Sequence, residues 1–169
     1  RKKMTCPVIA ITGSNGKTTT KELLKLVIEQ SYNTHATKGN LNNHIGVPLT
    51  ILNTPLSSEF AIIEMGANHL KEIEELCEIA EPTHGYVTNF GIAHIQGFGS
   101  ENKIMEGKSE LYNYLSNSKG TIFLNIDNEN QVKKIKKIPF ISFGQNKKSD
   151  YQLSYSSIDN KLELNFKAH

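Results

Sequence analysis

The sequence predicts an α/β protein with a mostly parallel sheet flanked by helices, a phosphate loop of the P-loop type and a C-terminal β-hairpin. Short apolar runs alternate with helical patterns, as in parallel strands joined by crossover helices. A glycine-rich turn follows the first apolar run and opens the first helix, where backbone N–H groups can bind phosphate. Near the C-terminus the period changes to strict alternation, which is typical of a hairpin.

Composition limits the classes of protein that this chain can belong to. It has 169 residues, 37% of them apolar, with 12 glycines, which fits one globular domain and excludes collagenous or strongly disordered chains. The net charge of +2 gives no reason to expect nucleic acid or a membrane surface as partner. No apolar run approaches the about 18 residues of a membrane span. Cys6 and Cys77 lack metal-ligand spacing, so we expect both to be reduced and buried in a cytoplasmic protein.

Six apolar runs predict the parallel strands, and the segments between them predict four helices. In chain order the strands are expected over 7–12, 33–37, 60–63, 85–88, 121–126 and 139–143. The helices are expected over 18–30, 69–80, 128–137 and, capped by Ser100, from there to about 115. The inner stripe of the first helix should consist of Leu23, Leu24, Val27 and Ile28.

Two segments have a different character. Residues 38–44, here called the asparagine loop, are too rich in Gly and Asn for regular structure. Residues 150–167 alternate between apolar and polar around 157–160, which predicts a hairpin with one solvated face, attached to the sheet rather than forming a second domain. We therefore expect a single domain over 1–169.

The strongest local signal is the phosphate loop, residues 12–19, which follows a strand and opens a helix. Lys17 would neutralise β- and γ-phosphates, and the Thr18 hydroxyl would bind Mg²⁺. The spacing departs from the generic P-loop, since Ile11 stands where that motif needs glycine. The alternative is a glycine-rich turn with a surface lysine. The backbone candidates for phosphate binding are Gly13, Ser14, Asn15, Gly16, Lys17, Thr18 and Thr19.

Acidic and basic side chains follow other strands. Glu64 ends the run 60–63 and would lie at the carboxyl edge of the sheet, where open α/β folds bind ligands; it is a Mg²⁺ ligand or a carboxylate satisfied by loop N–H groups. His94 follows the strand 85–88 and should share that edge. Lys108 falls on the inward stripe of its helix, as either a snorkelling lysine or a functional, modified one.

Asparagines supply the remaining candidates. Asn40, Asn42 and Asn43 lie in the asparagine loop and would bind a polar substrate, unless the loop is simply mobile. Asn125 and Asp127 lie at the end of the strand 121–126, where they are placed to touch a nucleotide base or ribose; the alternative is a turn in which Asp127 or Asn128 caps the next helix.

These motifs resemble those of the central ATP-binding domain of the Mur ligases, the ATP-dependent amino-acid ligases of peptidoglycan synthesis. The resemblance covers about residues 7–144 and includes the departure of the phosphate loop from the generic motif. It is closest to the branch that joins D-Ala-D-Ala to UDP-N-acetylmuramoyl-tripeptide. The matching segments are 12–18, 37–43, 45–48, 64–68, 88–94 and 97–100.

The resemblance implies a reaction and roles for the candidates. ATP phosphorylates the terminal carboxylate of the tripeptide, and the amine of D-Ala-D-Ala displaces phosphate to form an amide. The implied catalytic residues are Lys17, Glu64, His94 and Lys108. Thr18 and Glu64 would hold one Mg²⁺, while His94 and a carbamylated Lys108 would hold or position a second. Asn125 matches an adenine contact, and Asn40, Asn42, Asn43 and Asn89 are assigned to the muramoyl substrate.

The resemblance also implies partner domains for the UDP-sugar and for the amine, neither of which matches this sequence. The chain starts with Arg1, so we expect a processed start or an excised fragment that is inactive alone. One alternative is another amide ligase of the superfamily, of the folylpolyglutamate synthase or cyanophycin synthetase type. The asparagine loop and segment 64–68 argue against it. A nucleotide-binding module without ligase chemistry is the other, and Glu64, His94 and Lys108 exceed what it needs.

Overall fold

The computed structural model describes residues 1–91, 95–135, 138–158 and 161–169, and these form one eight-stranded sheet with helices packed on it. The strands are β1 (Val8–Thr12), β2 (Thr34–Ala36), β3 (Phe60–Glu64), β4 (His84–Val87), β5 (Thr121–Asn125), β6 (Phe140–Gly144), β7 (Tyr151–Ile158) and β8 (Lys161–Ala168). The helices are α1 (Lys17–Ile28), α2 (Gly46–Asn53), α3 (Glu72–Ala80), α4 (Ile95–Phe98), α5 (Glu101–Ser118) and α6 (Glu129–Lys134).

The strand order places a crevice at the end of the first strand. The order is β2-β3-β1-β4-β5-β6-β7-β8, and all pairings are parallel except β7 with β8. The chain runs from β1 outward to β2, returns to β3, and then crosses β1 to reach β4. In open α/β sheets ligands bind at such a reversal, beyond the carboxyl ends of the strands. The predicted parallel sheet is confirmed.

Helices cover the sheet unequally. Residues of α2, α3 and α5 join Val8, Ala10, Ala61 and Ile63 in the main hydrophobic core, on one face of the central strands. Alternate strand residues point to the other face, where Ile11 and Ile62 pack against Leu24 and Ile28 of α1.

The predicted inner stripe of α1 is half wrong. Leu24 and Ile28 pack on the sheet, but Leu23 and Val27 are exposed. The reason is that Leu23 and Val27 lie one position before Leu24 and Ile28, about 100° round the helix, so they point away from the sheet that Leu24 and Ile28 face. The fully buried side chain of this helix is Lys21, which continues the line of Leu24 and Ile28 at helical spacing.

Other predictions fare differently. Ser100 caps α5 through its side chain, and Ile104, Leu111, Tyr112 and Leu115 are buried as the stripe predicts. Helices α2 and α4 were not predicted; α2 is apolar along most of its length, without the polar alternation that marks a surface helix. The predicted end of the helix 128–137 falls partly on residues 136–137, which lie outside the described residues.

The C-terminal hairpin exists as predicted, as β7 and β8, although 159–160 lie outside the described residues. Its predicted covered face is wrong, because Tyr155, Leu164 and Phe166 are exposed. The hairpin joins the sheet through only two residue pairs of β6 and β7 and extends past the helices that cover the core. Both cysteines are buried and free, as expected. Within the described ranges, no helix is long and apolar enough to cross a membrane.

We expect Leu111→Ala in α5 to lower the free energy of unfolding by about 2–5 kcal/mol, because a buried leucine leaves both lost burial and a cavity. Leu111 is completely buried between α5 and the sheet. Leu52→Ala is the matched control, since Leu52 is 80% exposed and should change stability by no more than about 0.5 kcal/mol. Urea unfolding measures both; equal losses would contradict the position of the core.

Candidate active site

The phosphate loop is shaped by two glycines and held by the neighbouring strand. Gly13 has φ 134° and Gly16 has φ 78°, conformations that disfavour other residues. A Cβ at Gly13 would collide with the Thr88 side chain. Gly16 is the N-cap of α1, so the loop leads directly into a helix N-terminus, where N–H groups without helical partners favour an anion. The predicted strand–loop–helix arrangement is therefore present.

Residues after β4 brace this loop. The Asn89 side chain donates from Nδ2 to the Asn15 carbonyl at 3.0 Å and accepts from the Asn15 N–H at 3.2 Å. Thr88 Oγ1 donates to the same carbonyl at 2.6 Å, and Ser14 Oγ donates to the Gly91 carbonyl at 2.7 Å. Asn89 thus fixes the loop backbone, a contact that its sequence assignment to substrate did not anticipate.

Lys17 lies folded back over the loop. Its Nζ donates to the Gly13 carbonyl at 2.8 Å and to the Ser14 carbonyl at 3.3 Å. Partial burial lowers the pKa of Lys17, while the charge of Glu64 acts in the opposite direction. Both bonds are made to loop carbonyls, so an arriving phosphate would compete for an ammonium that is already in the crevice.

Glu64, at the end of β3, is hydrogen-bonded to two of the other candidate residues. Its Oε1 accepts from Thr18 Oγ1 at 3.2 Å and from Asn42 Nδ2 at 2.7 Å. The residue is 1% exposed, and its Oε2 has no hydrogen-bond partner among the described residues. A buried carboxylate oxygen without a hydrogen bond is costly. A hydroxyl beside a carboxylate with a spare oxygen fits Mg²⁺, which takes one or two carboxylates together with phosphate oxygens.

Lys21 is a site residue that the sequence prediction missed. It is completely buried, and its Nζ lies 3.7 Å from Glu64 Oε2 and 2.9 Å from Glu22 Oε1. It also donates to the carbonyls of Thr37 and Gly39, at 2.7 and 2.9 Å. The sequence does contain a signal for it, because Lys21 has helical spacing with Leu24 and Ile28. Lys108 was identified as a candidate from the same kind of spacing on its own helix.

Lys108 is buried rather than snorkelling. It is 1% exposed, its Nζ donates to the Ala67 carbonyl at 2.9 Å, and the ammonium lies over the Phe98 ring. Burial, followed by the charge of Lys17, lowers the pKa of Lys108 to about 8. The neutral fraction of this amine near physiological pH is therefore larger than that of an ordinary lysine.

A cavity of about 430 Å³ opens beside these groups. Among the residues that line it are Lys17, Asn42, Asn43, His44 and Asn68. Ala67, whose carbonyl accepts the hydrogen bond from Lys108, also lines this cavity. Within the part of the chain that the structure describes, no group of three or more His, Cys, Asp or Glu side chains could hold a metal. A metal here would need phosphate oxygens and hydroxyl groups as further ligands.

The remaining candidates are dispersed. Asn40 is exposed, and the Asn43 Oδ1 accepts from the N–H groups of Ile45 and Gly46 at the start of α2. Asn125 lies at the end of β5, and its Oδ1 accepts from the Asp127 N–H, while Asn128 caps α6. His94 lies outside the described residues.

Comparisons with known proteins identify the family to which this chain is related. The family model of the Mur ligase middle domain matches residues 11–168. Over 146 residues the chain is 40% identical to the UDP-N-acetylmuramoyl-tripeptide–D-alanyl-D-alanine ligase of Bacillus subtilis, covering 86% of this chain and 32% of that protein. The ligase of the same name from Synechocystis is 47% identical over 128 residues, 76% of this chain and 28% of that protein.

A solved structure extends the similarity to three dimensions. The MurF ligase of Thermotoga maritima in complex with ADP superimposes with a TM-score of 0.87 at 31% identity, covering 99% of this chain and 39% of that one. The chain thus spans about a third of the length of the relatives it matches. The family model and these relatives show that the chain belongs to the Mur ligase middle domain family.

Proposed function

We propose that this chain is the ATP-binding part of a ligase that joins D-Ala-D-Ala to UDP-N-acetylmuramoyl-tripeptide in peptidoglycan precursor synthesis. The observation that carries the proposal is the grouping of the candidate side chains at one edge of the sheet. Thr18 and Asn42 hydrogen-bond to the Glu64 carboxylate, and Lys17 and Asn42 line the neighbouring cavity. The relatives named above support the choice of substrates. Other regions of the complete protein would bind the UDP-sugar and the amine. Because ATP is consumed, we place the reaction in the cytoplasm.

The first chemical problem is the meeting of two anions. The tripeptide carboxylate must attack the γ-phosphate of ATP, and both carry negative charge. The phosphate loop supplies N–H groups at the N-terminus of α1, and Lys17 supplies a mobile positive charge. On binding, the Lys17 ammonium would exchange the carbonyls of Gly13 and Ser14 for phosphate oxygens, which concentrates its charge where negative charge develops during transfer.

A Mg²⁺ ion held by Thr18 and Glu64 would supply further positive charge beside the phosphates. These two residues would hold the ion through the Thr18 hydroxyl and the Glu64 oxygen that lacks a hydrogen bond. Bound Mg²⁺ would screen the phosphate charge during transfer. Asn42, already bonded to Glu64, would keep that carboxylate oriented while the substrate is bound.

Lys108 is proposed to react with CO₂. Its neutral amine attacks the carbon of CO₂, a C–N bond forms, and one proton is released, so that a carbamate replaces the ammonium. The lowered pKa favours this reaction because it increases the neutral fraction. The carbamate N–H can still donate to the Ala67 carbonyl, while its oxygens would hold or position a second Mg²⁺ together with His94.

The asparagines complete the proposal. Asn40, Asn42 and Asn43 would contact the muramoyl substrate beside the cavity, and Asn125 would contact adenine from the end of β5. Asn89 would act on substrate through the phosphate loop that it braces. A folylpolyglutamate-type ligase and a switch without ligase chemistry are less favoured, because the named relatives are D-alanyl-D-alanine ligases.

In the complete protein, we expect Lys17→Ala to lower kcat/KM for ATP on the order of 10²-fold, because one charge contact to the transferring phosphoryl group is lost. Its melting temperature should stay close to that of the wild type, since Lys17 is only partly buried and its described hydrogen bonds are to carbonyls of its own loop. Lys25→Ala, on the outer part of the same helix, is the control and should keep full activity. A wild-type rate in Lys17→Ala would contradict the phosphate role.

We expect Lys108→Ala in the complete protein to lower the ligation rate at least about tenfold, as loss of a group that supports a metal site does. Added short carboxylic acids should partly restore the rate, because they can supply the oxygens of the missing carbamate. The control is Lys103→Ala, at an exposed position on the same helix. Its ligation rate should equal that of the wild type, and added acids should not change it. Full activity of Lys108→Ala, or loss of activity that no acid restores, would argue against the carbamate.

A further inference from the structure

Lys21 is a buried cation that the proposed chemistry does not use. It is 0% exposed, although a charge is expensive to bury unless it is paired and hydrogen-bonded. It lies one turn beyond Lys17 on α1, and it is not among the described residues that line the cavity. Its contacts reach segments that are distant from α1 in the sequence.

The contacts of Lys21 join three elements. The ammonium donates to the carbonyls of Thr37 and Gly39, at the start of the asparagine loop. It is paired with Glu22 on its own helix at 2.9 Å and lies 3.7 Å from Glu64 at the end of β3. Gly39 is in the left-handed region at φ 54°, so the chain turns sharply where Lys21 holds it.

The asparagine loop has few other fixed points toward α1. Within the loop, the Leu41 and Asn42 N–H groups bond to the carbonyls of Lys38 and Asn40, which are local contacts. Beyond it, Asn42 bonds to Glu64 and its carbonyl accepts from the Gly66 N–H. Among the described residues, Lys21 is therefore the side chain of α1 that donates hydrogen bonds to the backbone at this end of the loop.

We propose that Lys21 is a positioning residue, which ties the asparagine loop to the phosphate-loop helix so that Asn42 and Asn43 reach the cavity where Lys17 lies. It acts through the loop and touches no reacting atom. The consequence for catalysis rests on the proposed function, since the loop is assigned there to the muramoyl substrate. The tie itself does not rest on it.

The first arm of the test measures the tie directly. Hydrogen–deuterium exchange of the complete protein is followed in peptides covering 38–44 and, as an internal reference, β5 at Thr121–Asn125. Lys21→Met, which keeps the aliphatic stem but removes the ammonium, should speed exchange in 38–44 at least tenfold relative to the reference. Lys25→Met, one turn further along α1 and half-exposed, is the matched control and should change neither peptide.

The second arm measures substrate kinetics. Lys21→Met should raise KM for UDP-N-acetylmuramoyl-tripeptide at least tenfold while KM for ATP stays within threefold, because Asn89 braces the phosphate loop independently from the side of β4. A merely structural lysine would lower the amount of active protein and leave both KM values unchanged. Lys21→Gln keeps a hydrogen-bond donor for the two carbonyls, so its KM for UDP-N-acetylmuramoyl-tripeptide should lie between the values of the wild type and of Lys21→Met.

The outcomes separate the two proposals. Faster loop exchange in a protein that makes no amide would uphold the tie and overturn the proposed ligase. Unchanged loop exchange in folded Lys21→Met would overturn the tie, as would equal rises in KM for both substrates. If Lys21→Met does not fold, Lys21→Gln is measured in its place. Unfolding of both, or exchange that rises equally in 38–44 and in β5, would make Lys21 a stability residue and overturn the proposal.

Discussion

The site depends on one interaction, the burial of the Glu64 carboxylate at the carboxyl end of β3. A buried carboxyl group needs hydrogen-bond or charged partners, and those of Glu64 come from segments far apart in the sequence. Thr18 and Lys21 approach it from α1, and Asn42 approaches it from the asparagine loop. Contacts with this carboxylate therefore link the phosphate-loop helix and the asparagine loop at the same edge of the sheet.

The phosphate loop is held from two sides because β1 lies between β3 and β4. On the side of β4, Asn89 and Thr88 bond the backbone of Asn15. On the side of β3, Thr18 bonds Glu64. Backbone fixed in this way loses little freedom when a phosphate binds, which is the advantage of preorganised electrostatic stabilisation. The Lys17 side chain, bonded to its own loop, is the part left to move.

Sequence patterns were sufficient for the sheet, the phosphate loop and the place of Glu64, because parallel strands are continuous apolar runs and their carboxyl ends meet at one edge. They were insufficient where tertiary contact overrides local pattern. Leu23 and Val27 fall on the predicted stripe of α1, yet they are exposed because the sheet contacts only the line of Leu24 and Ile28. The role of Asn89 could not be predicted either, since its partner lies 74 positions away.

Lys21 and Lys108 show why burial alone does not determine what a lysine does. Both lie on the inward line of a helix, and both are fully buried. Lys21 faces two carboxylates, Glu22 and Glu64, so its charge is compensated and suits a structural tie. Lys108 has only the Ala67 carbonyl and the Phe98 ring as close partners among the described residues, and Lys17 repels its charge. These surroundings lower the pKa of the Lys108 ammonium, although the charges of Glu72 and Glu110 act in the opposite direction.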